Sequence, residues 1–190
     1  RSEWYYKHSD WKGKKVFDGG TLYTQFSHFI DIIYYLLGDL HIHHVQLANV
    51  SHRGLIEFED TGIVSFGLKD SGAPGVMHYT TSSYQKNMEG SITIFAEHAT
   101  IKIGGQYLNT IDYQSTDGFD ITGLPQSSPA NNYGDYEGSM SNHHLVIDNV
   151  IRSLQGHEEI MTNAYDGLKT VEIIENIYNK AAENVHVTSS

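Results

Sequence analysis

Residues 18–38 read DGGTLYTQFSHFIDIIYYLLG, a pair of glycines followed by a helix-length run and a closing glycine. Apolar side chains recur every three to four positions along this run, as they do in a helix that packs against a core. The opposite side carries Thr24, Ser27, His28, Asp31 and Tyr35. A solvated helix face usually carries Lys, Glu and Arg, so this polar face is a candidate for chemistry. We expect one helix over residues 20–37, capped by Gly38.

Outward from this helix, the sequence predicts an antiparallel sheet. The first sixteen residues are typical of an extended aromatic segment. Alternating patterns predict strands over residues 41–50, 63–68, 75–82, 91–95 and 100–103, a hairpin that joins 55–58 to 63–68, and one more strand within 107–113. Because neighbouring strands are joined by short turns, we expect them to pair antiparallel.

The C-terminal part predicts a long loop and two helices. Residues 114–140 have the composition of a loop, and Ser141 or Asn142 is expected to cap the helix that follows. Thr162 or Asn163 is expected to cap the last helix, before a short strand over 185–187. We therefore expect a single domain over residues 1–190, of class α+β, with an open, mainly antiparallel sheet and helices on one face.

Composition narrows the classes of partner. The net charge of −11 argues against nucleic acid and anionic membranes, and no run approaches the roughly 18 apolar residues of a membrane span. The lack of cysteine excludes disulfides and a cysteine nucleophile, and is compatible with a reducing cytoplasm. Five of the 12 cationic residues precede residue 16 and lie beside four aromatic residues. They could hold a small anion, or form a basic strand end that binds no ligand.

His28 is the best candidate for acid or base chemistry, because an unperturbed imidazole titrates near neutrality. Thr24 and Asp31 lie four residues before it and three residues after it, which places all three on one helical stripe. Asp31 could equally be a surface carboxylate or fix a neighbouring loop. The histidines at 41, 43 and 44 could belong to a metal hydrolase, but ordinary strand histidines explain them better, because no spacing supplies the remaining ligands. No Gly-x-Gly-x-x-Gly turn is present.

Several of these motifs together resemble the Gfo/Idh/MocA oxidoreductases. Trp11-Lys12-Gly13 and residues 18–38 resemble the family segment W-K/R-G followed by G-G-x-L-x-x-x-x-x-H-x-x-D-x-x-x-x-L-x-G. Residues 90–101 and 163–178 resemble its hairpin and its last helix. The resemblance implies the C-terminal substrate-binding and oligomerisation domain only. The N-terminal Rossmann domain, which binds NAD or NADP, is expected to be absent from this chain, and the isolated chain is expected to be inactive.

The resemblance also implies roles for individual residues. His28 would be catalytic, while Trp11, Lys12, Thr24, Gln25 and Asp31 would bind substrate; no cofactor or metal ligand is expected in this chain. The sequence looks closest to UDP-N-acetylglucosaminuronate 3-dehydrogenases, which implies a sugar or nucleotide-sugar substrate and a cytoplasmic homo-oligomer assembled through the sheet. Thr24 and Phe26 depart from the family's common Asp or Asn and Gly. These departures favour the alternative, a non-catalytic binding or assembly module.

Overall fold

A computed structural model describes residues 1–85, 87–125, 129–132, 137–140 and 142–187. The elements follow in chain order: α1 (Glu3–Lys7), α2 (Lys15–Asp18), α3 (Thr21–Thr24), α4 (Ser27–Leu37), β1 (Leu40–Ala48), β2 (Thr61–Leu68), β3 (Pro74–Thr80), β4 (Ile92–Ala96), β5 (Ala99–Gly104), β6 (Thr110–Thr116), β7 (Ala130–Asn132), β8 (Glu137–Met140), α5 (His143–Leu154) and α6 (Ala164–Val187). They form two compact units, Arg1–Gln85 with Thr162–Ser190, and Lys86–Met161. The expectation of a single domain stays a prediction.

The first unit is an open antiparallel sheet of order β1-β2-β3, with α4 and α6 packed against one face. Its core is apolar side chains from α3, α4, the three strands and α6, namely Leu22, Ile30, Leu40, Ile42, Val45, Val64, Phe66, Tyr79, Ile173, Ile174 and Ile177. The second unit contains a three-stranded antiparallel sheet, β4-β5-β6, and the two-stranded sheet β7-β8. These open sheets with helices confirm the predicted α+β class.

The predicted helix over residues 20–37 is divided into α3 and α4. The chain leaves helical geometry at Phe26, where φ is −125° and ψ is 4°. Tertiary contacts account for the break, because the Phe26 ring packs 5.0 Å from the Tyr79 ring while the Gln25 amide bonds to Arg1 and Tyr5. Gly38 ends α4 as predicted, with φ of 83° and its N–H donating to the Tyr34 carbonyl.

Three further expectations are wrong. Residues 3–7 form the helix α1 rather than an extended segment, supported by the 2.7 Å pair between Lys7 and Glu3. Residues 55–58 form no strand, since the Asn49 side chain donates to the carbonyls of His52, Ile56 and Phe58 and holds them in a loop. Residues 185–187 continue α6 instead of forming a strand.

The remaining strand and helix predictions are confirmed, with differences in the bounds of some elements and in the helix caps. β6 starts three residues later than its predicted range, and the predicted loop over 114–140 contains β7 and β8. Asn163 caps α6, because its Oδ1 accepts from the N–H groups of Tyr165 and Asp166. Asn142 precedes α5 without a side-chain cap bond, and Ser141 lies outside the described residues.

The glycine pair Gly19-Gly20 lies close to α6, beside a buried polar network. Gly20 has φ of 142°, and a Cβ at this position would collide with the Tyr178 hydroxyl. That hydroxyl donates to Glu59 Oε1 at 2.7 Å and accepts from the Leu22 N–H at 3.2 Å. The Tyr79 hydroxyl donates to the same carboxylate oxygen at 3.1 Å. Burial raises the pKa of Glu59 above its ordinary value, and the two hydroxyls oppose that rise.

Tyr178→Phe is therefore expected to lower the free energy of unfolding at neutral pH by about 2 kcal/mol, because it removes a donor to a buried carboxylate and the acceptor of a main-chain N–H. The loss should shrink as pH falls through the raised pKa of folded Glu59 and be smallest below about 4.3, the pKa of Glu in the unfolded chain, because Glu59 is then protonated in both states. Urea denaturation at several pH values measures both effects.

Tyr23→Phe is the matched control. Tyr23 donates to Glu175 at 2.8 Å in an exposed hydrogen bond, so its removal should cost well under 1 kcal/mol. Equal losses in the two variants, or a loss in Tyr178→Phe that does not change with pH, would contradict the role assigned to the buried network.

Candidate functional site

The Trp11-Lys12-Gly13 motif forms the turn between α1 and α2. Gly13 has φ of 81°, and its N–H donates to Asp18 Oδ2 at 2.7 Å. A Cβ at Gly13 would lie 2.9 Å from the Ile56 side chain, so only glycine fits this close approach. The hydrogen bond to Asp18 and the close contact with Ile56 thus fix the turn. This turn sets the position of Lys12.

Lys12 and Gln25 meet at Tyr5, a residue that sequence reasoning did not select. The Lys12 Nζ lies 3.9 Å from the centre of the Tyr5 ring and 5.8 Å from that of Trp11. Gln25 Nε2 donates to the Tyr5 hydroxyl at 2.9 Å, and Gln25 Oε1 accepts from Arg1 Nε at 2.8 Å. The Arg1 guanidinium carbon lies 5.1 Å from the Tyr5 ring centre. We call Arg1, Tyr5, Lys12 and Gln25 the Tyr5 cluster.

A buried histidine–carboxylate pair holds the main chain of Arg1. The Arg1 carbonyl faces His52 Nε2 at 2.8 Å, and His52 Nδ1 lies 2.9 Å from Asp60 Oδ2. The Asp60 side chain also accepts from the N–H groups of Val50, Ser51 and His52 and from the Thr61 hydroxyl. Burial would raise the pKa of Asp60, but these hydrogen bonds outweigh it and hold that pKa far below its ordinary value.

His28 lies in the first turn of α4 on an exposed position. Its side chain makes no hydrogen bond within the described part of the chain, and its ring centre is 6.4 Å from that of Phe29. Desolvation by the surrounding protein lowers the pKa of His28, and the nearby Asp31 carboxylate opposes this. The imidazole is therefore mostly neutral at pH 7, the form that can accept a proton.

Thr24 and Asp31 each form a hydrogen bond within the protein. The Thr24 hydroxyl donates to the Gly20 carbonyl at 3.4 Å, one turn back. Asp31 Oδ1 accepts from the Thr170 hydroxyl at 2.7 Å, which ties α4 to α6. The structure thus brings Lys12 and Gln25 to Tyr5, with the centre of the Trp11 ring 5.8 Å from Lys12 Nζ. Within the described residues, it shows no direct contact between the Tyr5 cluster and His28 or Asp31.

The described ranges contain neither a cluster of metal-ligating side chains nor a membrane-spanning helix. Among residues 1–85, 87–125, 129–132, 137–140 and 142–187, no three His, Asp or Glu side chains converge as a metal site would require. His41 and His43 lie with ring centres 5.0 Å apart, but as a pair. No helix among these residues combines the length and the apolar character needed to cross a bilayer.

The chain matches the family described as oxidoreductase family, C-terminal alpha/beta domain, over residues 1–188. It belongs to the Gfo/Idh/MocA oxidoreductases.

Solved structures show the same relationship. The chain is similar to the WlbA dehydrogenase from Bordetella pertussis, solved with NADH and UDP-GlcNAcA, at 32% identity and a TM-score of 0.77 over 97% of this chain and 49% of the other. The WlbA dehydrogenase from Chromobacterium violaceum, solved with the same two ligands, gives 31% identity and a TM-score of 0.78 over 97% and 50%. This chain therefore spans about half the length of these dehydrogenases.

A more distant match shares the fold alone. Levoglucosan dehydrogenase in complex with NADH matches at 14% identity and a TM-score of 0.70, over 92% of this chain and 52% of its own length. A comparison with curated proteins gave no match.

Proposed function

We propose that this chain is the substrate-binding half of an NAD(P)-dependent oxidoreductase that oxidises a hydroxyl of a sugar or nucleotide sugar. The observation that carries the proposal is the similarity, over 97% of the chain, to two dehydrogenases solved with NADH and UDP-GlcNAcA. The expectation that these 190 residues act as one C-terminal domain is part of this proposal.

The cofactor would be held mainly by a separate half of the enzyme. The 190 residues contain no Gly-x-Gly-x-x-Gly turn that could cradle a pyrophosphate, so they do not fit the dinucleotide on their own. NAD or NADP, when bound, would accept the hydride from the substrate carbon. The remaining tasks, which are proton transfer and substrate orientation, would fall to side chains of this chain.

His28 would accept the proton of the substrate hydroxyl. Its exposure and its lowered pKa supply a neutral imidazole at pH 7, as a general base requires. Lys12 and Trp11 would contact the sugar or an anionic part of the ligand, and Thr24 and Gln25 would bind its hydroxyls. Asp31 would contribute by fixing α4 to α6 through Thr170 as well as by its own contact with substrate.

The test is turnover by the full-length protein with NAD and with NADP. We expect reduction of one of these cofactors in the presence of UDP-GlcNAcA or another nucleotide sugar. The absorbance of the reduced nicotinamide measures this reduction. If a panel of sugars and nucleotide sugars gives no reduction although ligands bind, the chain is the non-catalytic module instead.

Self-association through the sheet stays a prediction. On the sheet face away from the helices, Ile63 and Val76 are 43% and 70% exposed. Ile63 lies between buried neighbours on β2, and Val76 lies between half-buried neighbours on β3. Apolar side chains on an open sheet face favour burial against a second copy.

A further inference from the structure

The Tyr5 cluster contains two cations that lack carboxylate partners. The chain has 23 acidic residues. Cations elsewhere in the chain form salt bridges with them, such as Lys69 with Asp39 at 2.7 Å. Within the described residues, no carboxylate lies at salt-bridge distance from Arg1 or Lys12. Lys14, Lys15 and Arg53 also lack such a partner among the described residues, but all three are exposed, and the cation–aromatic contacts found in this part of the chain involve only Arg1 and Lys12. Two uncompensated charges beside one ring therefore distinguish this cluster.

The cluster leaves its strongest donors available. Lys12 is only partly exposed, and its ammonium is held by the Tyr5 ring at 3.9 Å rather than by an oxygen. Arg1 gives its Nε–H to Gln25, while its two terminal nitrogens donate to no protein oxygen in the described ranges. A guanidinium and an ammonium with unused N–H groups are suited to an oxyanion, which accepts several charge-assisted hydrogen bonds at once.

The site is also preorganised. The main-chain carbonyl of Arg1 is held by the His52–Asp60 pair. Gln25 uses both ends of its amide, one on Arg1 and one on Tyr5. The side chains that would contact a ligand are thus fixed before it binds, which lowers the entropic cost of binding.

We propose that Arg1 and Lys12, supported by Tyr5 and Gln25, bind an oxyanion of the ligand, namely the diphosphate or the carboxylate of a nucleotide-linked uronate. The assignment to that class of ligand rests on the proposed function. The oxyanion site itself rests on the contacts above and can be measured without turnover.

The test is calorimetric titration of the 190-residue chain, at low ionic strength, with UDP and separately with glucuronate. Lys12→Met should weaken binding of the preferred probe about tenfold or more, since it removes a charge-assisted hydrogen bond. Arg1→Gln should show a similar loss, and it also serves if Lys12→Met does not fold. A response to UDP identifies the diphosphate, and a response to glucuronate identifies the carboxylate.

Lys14→Met is the matched control, because it removes the same charge two residues away from an exposed position. It should change the affinity less than about twofold, the scale expected for a screened surface charge. Lys12→Arg should keep most of the affinity. Equal losses in Lys12→Met and Lys14→Met, or no binding of either probe to the unsubstituted chain, would overturn the proposal. Failed turnover with intact oxyanion binding would overturn the proposed reaction alone.

Discussion

Replacing His28 with alanine in the full-length protein is expected to lower kcat about 100-fold or more, the usual scale for loss of a general acid or base. Folding should stay nearly intact, because His28 is exposed and its side chain makes no hydrogen bond in the described part of the chain. Steady-state kinetics at saturating substrate, with thermal unfolding of the same samples, measure both effects.

The pH profile separates a proton-transfer role from a purely structural one. His28 must be neutral to accept a proton, so kcat should fall as pH decreases through its pKa, which desolvation places below the ordinary value of about 6.5. His28→Ala should lose this acidic limb. His44→Ala, an exposed histidine on β1, should keep both rate and profile. Full turnover in His28→Ala would remove His28 from the mechanism.

Much of the fold is predictable because local patterns and local geometry agree. Gly38 ends α4 where the periodic apolar run ends, and the alternation over β4 and β5 matches the observed antiparallel register from Ile92 opposite Ile103 to Ala96 opposite Ala99. The break at Phe26 could not be predicted, because helix periodicity continues through it. The packing of Phe26 on Tyr79, a residue far along the chain, and the Gln25 bonds to Arg1 and Tyr5 account for the interruption.

The candidate site, like the fold, is predictable from the sequence only in part. Lys12 and Gln25 stand out in the sequence by residue type and by motif, and both lie in the Tyr5 cluster. The Gln25 bonds to Tyr5 and Arg1 join residues 20 and 24 positions apart, and the Arg1 bond to His52 spans 51 positions. No periodic pattern encodes such contacts. Asp60 was expected in a hairpin turn, and its actual role as a buried acceptor depends on the loop between β1 and β2.

Asp60→Asn is expected to lower the free energy of unfolding at neutral pH by about 3 kcal/mol or more. The Asp60 side chain is fully buried, with 0% exposure, and its two oxygens accept from main-chain N–H groups, His52 and Thr61. An asparagine would place an amide donor against N–H groups that need an acceptor, which leaves buried donors unsatisfied. Urea denaturation of the 190-residue chain measures the loss.

The same substitution carries a signature in pH. Because the pKa of folded Asp60 is depressed, its contribution is fully present above the unfolded value of about 3.9 and is lost as pH falls toward the folded value. The difference between Asp60→Asn and the unsubstituted chain should therefore shrink below about pH 4. Asp70→Asn, at an exposed position after β2, should cost less than about 0.5 kcal/mol at every pH. A loss in Asp60→Asn as small as that in Asp70→Asn would show that the His52–Asp60 pair does not anchor Arg1, and the preorganisation of the oxyanion site would lose its structural basis.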